Sequence, residues 1–132
     1  MVINKDIHAV IVELARYSRT QLTLYRSVID IQISLVEKKL SFTTSVYEGD
    51  HYIPPAVREA VRKQASFFPG ELYCTLHTKE SEFAVYLCFT KVTEEFSNKE
   101  LIDLLEEFAD QAERWRDHLE ELDHNDTIWV KK

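Results

Sequence analysis

Residues 101–123 read LIDLLEEFADQAERWRDHLEELD. Leu101, Leu105, Phe108, Ala112, Trp115, Leu119 and Leu122 recur at alternating steps of four and three, the spacing of one helical face, and acids fill most of the gaps. Such a stripe predicts one long helix that buries its apolar side and turns a negative side outward. A coiled coil is the other reading, but about three heptads is close to the minimum and Ala112 and Trp115 suit a seam poorly. Packing on the chain's own sheet is preferred. Ser97 with Glu100 forms a capping box that starts this helix, and acids crowd its first turns as the helix dipole favours.

Outward from that stretch the period changes. EFAVYLCFTKV (82–92) and ELYCTLH (71–77) read as a hairpin joined at Thr78–Ser81. With His77 opposite Glu82, one face collects Leu72, Cys74, Leu76, Phe83, Val85, Leu87 and Phe89 and is the core face. The other collects Tyr73, Thr75, His77, Ala84, Tyr86 and Cys88. Tyr73 and Tyr86, directly or diagonally across the hairpin, are a solvated pair or aromatic anchors for a partner segment. Before them, Pro54-Pro55 opens a helix through AVREAVRKQASFF (56–68), with the stripe Val57, Ala60, Val61, Ala65 and Phe68, and Pro69-Gly70 stops it.

Earlier still, SVIDIQISLV (27–36) alternates Ile29, Ile31, Ile33 and Leu35 with Val28, Asp30, Gln32 and Ser34, and LSFTTSVY (40–47) alternates Leu40, Phe42, Thr44 and Val46 with Ser41, Thr43, Ser45 and Tyr47. Glu37–Lys39 is the loop between these strands, and QLTLY (21–25) is a shorter strand before them. Asn4 caps a first helix over 4–17, with Ile7, Val10, Ile11 and Leu14 on one face. The order is α-β-β-β-α-β-β-α, an α+β sandwich with helices on an antiparallel sheet, in one domain over residues 1–132.

The net charge of −7 is unevenly spread. Residues 1–93 balance at +1, residues 94–126 at −10, and two terminal lysines follow. An acidic pole of that density repels phosphate backbones and anionic membranes, so direct nucleic-acid binding is not expected. Glu106, Glu107, Asp110, Glu113, Asp117, Glu120 and Glu121 are a solvated helix face or an electrostatic docking surface for a basic partner. No run approaches the ~20 apolar residues of a membrane span. The N-terminus, with Asp6 and Glu13 among its apolar residues, does not read as a signal peptide. With Cys74 and Cys88 on opposite faces of the hairpin, a disulfide between them is not expected, which points to a cytoplasmic protein.

Catalytic signals are missing. The five histidines, His8, His51, His77, His118 and His124, show no zinc-site spacing, and His118 with His124 is only a loose suggestion of a metal site. The carboxylates at 103, 106, 107, 110, 113 and 117 fall on a solvated face, where an acid/base pair has no desolvated cleft to separate its pKa values. Neither an enzyme nor a cofactor is expected.

The second half, FFPGELYCTLHTKESEFAVYLCF (67–89) followed by LLEEFADQAERWRDHLEEL (104–122), resembles the small acidic class I chaperones of type III secretion. Leu104, Phe108, Ala112, Trp115 and Leu119 stand in matching places, and the order of elements over the whole chain fits. The Gly-rich turn common in that family after the second helix is reduced here to Pro69-Gly70, and YbjN-like proteins share the architecture. The resemblance implies a non-enzymatic cytoplasmic dimer, a homodimer or a heterodimer with a sister chaperone. It would hold the extended N-terminal segment of a secreted client protein and keep it competent for secretion. It implies client contacts on the outer face at Tyr73, Thr75, Ala84 and Tyr86, and a dimer interface involving Val57, Val61, Phe67 and Tyr86. The acidic pole would then engage the secretion ATPase. The alternative is a regulatory protein that docks a transcription component through the acidic helix.

Overall fold

The alternating stretches pair into a five-stranded, wholly antiparallel sheet in the order β1-β2-β3-β5-β4. The computed structural model describes residues 3–34, 36–63, 72–92 and 97–130, and the side chains of 8–34, 36–63, 72–92 and 97–124 among them. The elements are α1 (Ile3–Tyr17), β1 (Arg19–Leu24), β2 (Ser27–Ser34), β3 (Lys39–Glu48), α2 (Pro55–Lys63), β4 (Cys74–Lys79), β5 (Ala84–Val92) and α3 (Asn98–Val130). The fold is α+β in the expected order. Leu35, Ala65, Phe67, Phe68 and Pro69-Gly70, and the side chain of Ile7, lie outside the described residues.

Alternation decides which face is buried. Leu22 of β1, Ile29 and Ile31 of β2, Leu40, Phe42, Thr44 and Val46 of β3, and Val85, Leu87 and Phe89 of β5 point inward. Helices α1 and α3 cover that face: α1 lies along β1, and α3 crosses β2 and β3. Helix α3 lays Leu101, Leu105, Phe108, Ala112, Trp115 and Leu119 into the core, with Leu122 half-buried. Ala109 and Gln111 are buried too, so the apolar side is wider than the stripe. Gln111 Nε2 donates to the Leu72 carbonyl at 3.0 Å and is thereby satisfied inside the core. At its start the Glu100 amide donates to Ser97 Oγ at 3.1 Å, the capping box.

Three local details differ from the sequence expectation. Helix α1 already begins at Ile3, which places Asn4 inside the first turn and not at the cap. Hairpin β4–β5 pairs His77 with Tyr86 and Lys79 with Ala84, where His77 was expected opposite Glu82. The displacement is four residues, an even number, so both faces keep their members. Its cause is the connection: Glu80–Glu82 form one 3₁₀ turn closed by Phe83 in the left-handed conformation (φ 53°), so β4 continues to Lys79. Third, Tyr73 lies outside β4 and Tyr86 opposes His77, so the two tyrosines are not a cross-strand pair.

Strand β3 carries a bulge between Ser45 and Tyr47, which turns both Val46 and Tyr47 into the core. The chain then leaves the sheet at Gly49, whose amide donates to the Phe83 carbonyl at 2.8 Å.

Candidate functional site: an open strand edge beside helix α1

The face of the sheet away from the helices presents aligned rows of mainly polar side chains. One runs Gln21, Asp30, Thr43, Cys88, Thr75; a second runs Arg19, Gln32, Ser41, Thr90. The residues expected to contact a client sit at one side of it, unevenly. Tyr73 is 80% exposed and Thr75 half-buried, whereas Ala84 is 2% exposed and hidden by its neighbours. Tyr86 is held in a small cluster: its hydroxyl donates to Glu82 Oε1 at 2.7 Å, and Lys79 Nζ lies 5.9 Å from its ring centroid. The bond to Glu82 pushes the Tyr86 phenol up to about 12. Burial pushes the Cys74 thiol up to about 12 as well, so it stays protonated and unreactive at neutral pH.

The residues expected at a dimer interface also separate. Val57 is fully buried in the chain's own core, Val61 is half-buried against it, and Phe67 lies outside the described residues. Helix α2 is tied to the β4–β5 turn by a two-pronged pair in which Arg58 donates to both carboxylate oxygens of Glu80, at 2.6 and 2.9 Å.

The acidic helix face is partly engaged within the chain, which the sequence did not reveal. Arg26, at the tip of the β1–β2 turn, donates to Glu113 through its backbone amide (3.1 Å) and through Nε (2.8 Å). The same guanidinium reaches Asp117 at 2.6 Å and Glu120 at 3.9 Å. Asp110 is paired with Arg114 at 3.0 Å. Of the expected docking residues, Glu106, Glu107 and Asp110 remain around a cleft of about 430 Å³ beside Leu72 and Leu104. Glu121 is exposed farther along the helix.

The hydrogen bond from Arg26 holds the Glu113 carboxyl below its ordinary 4.5. Because the folded value is depressed, the contribution is complete above the ordinary value and is lost as pH falls through the lowered one. Arg26→Ala is therefore expected to lower the melting temperature at neutral pH, and by less at an acidic pH well below the ordinary carboxylate value. Paired thermal melts at the two pH values check this; an equal deficit at both would remove the ionic contribution.

A second open geometry lies at the β1 edge of the sheet. Strand β1 has β2 as its only neighbour in the sheet, so one side of its backbone is unpaired by any described strand. Between that edge and α1 runs a groove of about 310 Å³, lined by Ala9, Val10 and Glu13 of the helix and by residues 20–23 of the strand. Val10 and Leu22 give it an apolar floor, while Gln21 and Thr23 stand on the outer side of the strand. Thr20 Oγ1 donates to Glu13 Oε2 at 2.9 Å across the groove. An unpaired backbone edge next to an apolar trough accepts an extended peptide by strand addition, with alternate side chains entering the trough. Its one signal in the sequence is the β1 alternation of Thr20 and Leu22 with Gln21 and Thr23. Nothing local says that β1 ends the sheet.

Among the described residues no group of three or more His, Cys, Asp or Glu side chains is arranged to hold a metal ion. No helix among them is long and apolar enough to cross a membrane.

The chain matches no protein-family model and no curated protein. Its fold does match solved structures at low sequence identity. A chain of the ExsC–ExsE complex aligns with TM-score 0.64 and 12% identity over 88% of this chain and 94% of that one. The Yersinia pestis type III secretion chaperone SycH, solved with a stable fragment of YscM2, aligns with TM-score 0.53 and 13% identity, over 74% and 79% of the two chains. The HopA1–SchA chaperone–effector complex gives TM-score 0.51 and 9% identity, over 76% and 77%. The chain thus shares its fold with type III secretion chaperones.

Proposed function

We propose that this protein is a non-enzymatic, cytoplasmic chaperone that binds an extended segment near the N-terminus of a secreted client and keeps it unfolded for export. The observation that carries the reading is the unpaired β1 edge beside the apolar groove of α1, in a fold shared with chaperones solved with bound partners. An unfolded segment gains backbone hydrogen bonds at such an edge and buries alternate side chains in the groove, offsetting its ordering cost. The outer face with Tyr73, Thr75 and Tyr86 then extends the client's path around the sheet, and a second copy docks through α2 near Val61.

The test is native affinity purification with the parent chain and with Ala9→Trp. Ala9 is exposed on α1 and lines the groove, so tryptophan there fills the trough without entering the core. The parent is expected to retain a secreted protein through its N-terminal segment, in a complex whose mass by light scattering contains two chaperone chains. Ala9→Trp is expected to lose that client with an unchanged melting temperature. A client retained equally by both would sink the reading.

A second reading rests on the cleft that joins Leu72 and Leu104 to Asp103, Glu106 and Glu107. It suits a basic partner segment, such as one from a transcription component or the secretion ATPase. Binding there would weaken steeply with salt and ignore Ala9→Trp.

A further inference from the structure

We infer that the segment received by the α1–β1 groove carries a lysine or arginine at one fixed position, opposite Glu13. The inference rests on the groove reading above and adds the chemistry of the occupant. Among the described side chains, Glu13 is the one charged residue that lines the groove. Its carboxylate takes a single hydrogen bond, from the neutral Thr20 hydroxyl, and no cation pairs with it among the described residues. Arg16, one turn further along α1, instead has its guanidinium 5.9 Å from the Tyr17 ring centroid. A segment laid along β1 would cover the groove and strip water from that carboxylate. A neutral occupant would leave the charge uncompensated, and an acidic one would add repulsion, so selectivity follows from both exclusions. On either side of the cationic position, every second residue of the segment faces Val10 and Leu22 and is apolar. Overall acidity also attracts cations, but without regard to position, and a single reversal at Glu13 leaves most of that field in place.

The experiment is selection of a displayed library of random peptides on the full chain, on Glu13→Lys, and on Ala9→Trp. The parent is expected to enrich alternating apolar peptides with Lys or Arg at one register position. Glu13→Lys is expected to enrich Asp or Glu at that position and to bind the parent's peptides about fivefold more weakly or worse, the scale of a partly exposed ion pair reversed. Ala9→Trp is expected to enrich neither set. Apolar peptides lost on Ala9→Trp but without a charge preference would overturn this inference and leave the groove reading standing. A basic preference that survives Glu13→Lys would assign it to the general field and overturn the inference too. Peptides that bind all three chains alike, or no enriched peptide at all, would overturn the groove reading and the inference together.

Discussion

Phe108→Ala is expected to cost about 3–5 kcal/mol of folding stability, the range for deleting a fully enclosed aromatic side chain. Phe108 has 0% exposure, and its ring meets Phe42 edge-on at a centroid separation of 5.5 Å. Phe42 in turn lies 5.4 Å from Phe89, so the three rings join α3 to β3 and β5 at the centre of the sheet. Alanine removes transfer free energy and leaves a void that close-packed neighbours refill only in part. Against a total of roughly 5–15 kcal/mol for an ordinary domain, that is a large fraction. Denaturant titration should show a lower midpoint with an unchanged slope. A loss below about 1 kcal/mol would mean that α3 is not docked through this ring.

Gly49→Ala is expected to be the most damaging small change. A Cβ at Gly49 would lie 2.4 Å from the Tyr52 carbonyl oxygen and 3.3 Å from that of Phe83. The nearest obstacle is backbone, and the one side chain in the way, the Tyr47 ring at 3.3 Å, is itself buried in the core. The turn cannot easily shift as a whole, because the Gly49 amide is bonded to that same Phe83 carbonyl. Replacing glycine where space permits commonly stabilises by about 0.4–1 kcal/mol through the unfolded state. Here the overpacking, about 1–3 kcal/mol, outweighs that gain and the net sign is a loss. Thermal melts of the two proteins decide it. A higher melting temperature for the alanine variant would contradict the close approach of residues 49 and 52.

What could be read in the sequence was whatever depends on local period. The steps of four and three in 101–122 placed the buried side of α3, and the alternation around Ile29, Phe42 and Leu87 placed the inner face of the sheet. Hairpin parity was readable because a one-residue slip would mix polar and apolar sets. A four-residue slip would not, and that is the error made between His77 and Glu82. Relations between distant segments stayed hidden. Arg26 and Glu113 are 87 positions apart, and neither carries a local sign of the other. The groove needs β1 at the end of the sheet, which follows from β5 inserting beside β3, a global event. Ala84 shows the limit of face assignment: alternation puts it outward, yet a methyl group between larger neighbours is covered.

The Arg26 clamp bears on the strand edge as well as on the helix. It moors the tip of the β1–β2 turn to α3, and α1 lies along the other side of the same strand. On the strand-addition reading, the receiving edge is therefore tethered at its turn and backed by a helix before anything pairs with it. A strand that joined β1 would then bring most of the disorder that must be lost, and the receiver would contribute little of its own. Loosening the clamp would shift part of that entropic cost onto the receiver, weakening capture from a position outside the groove.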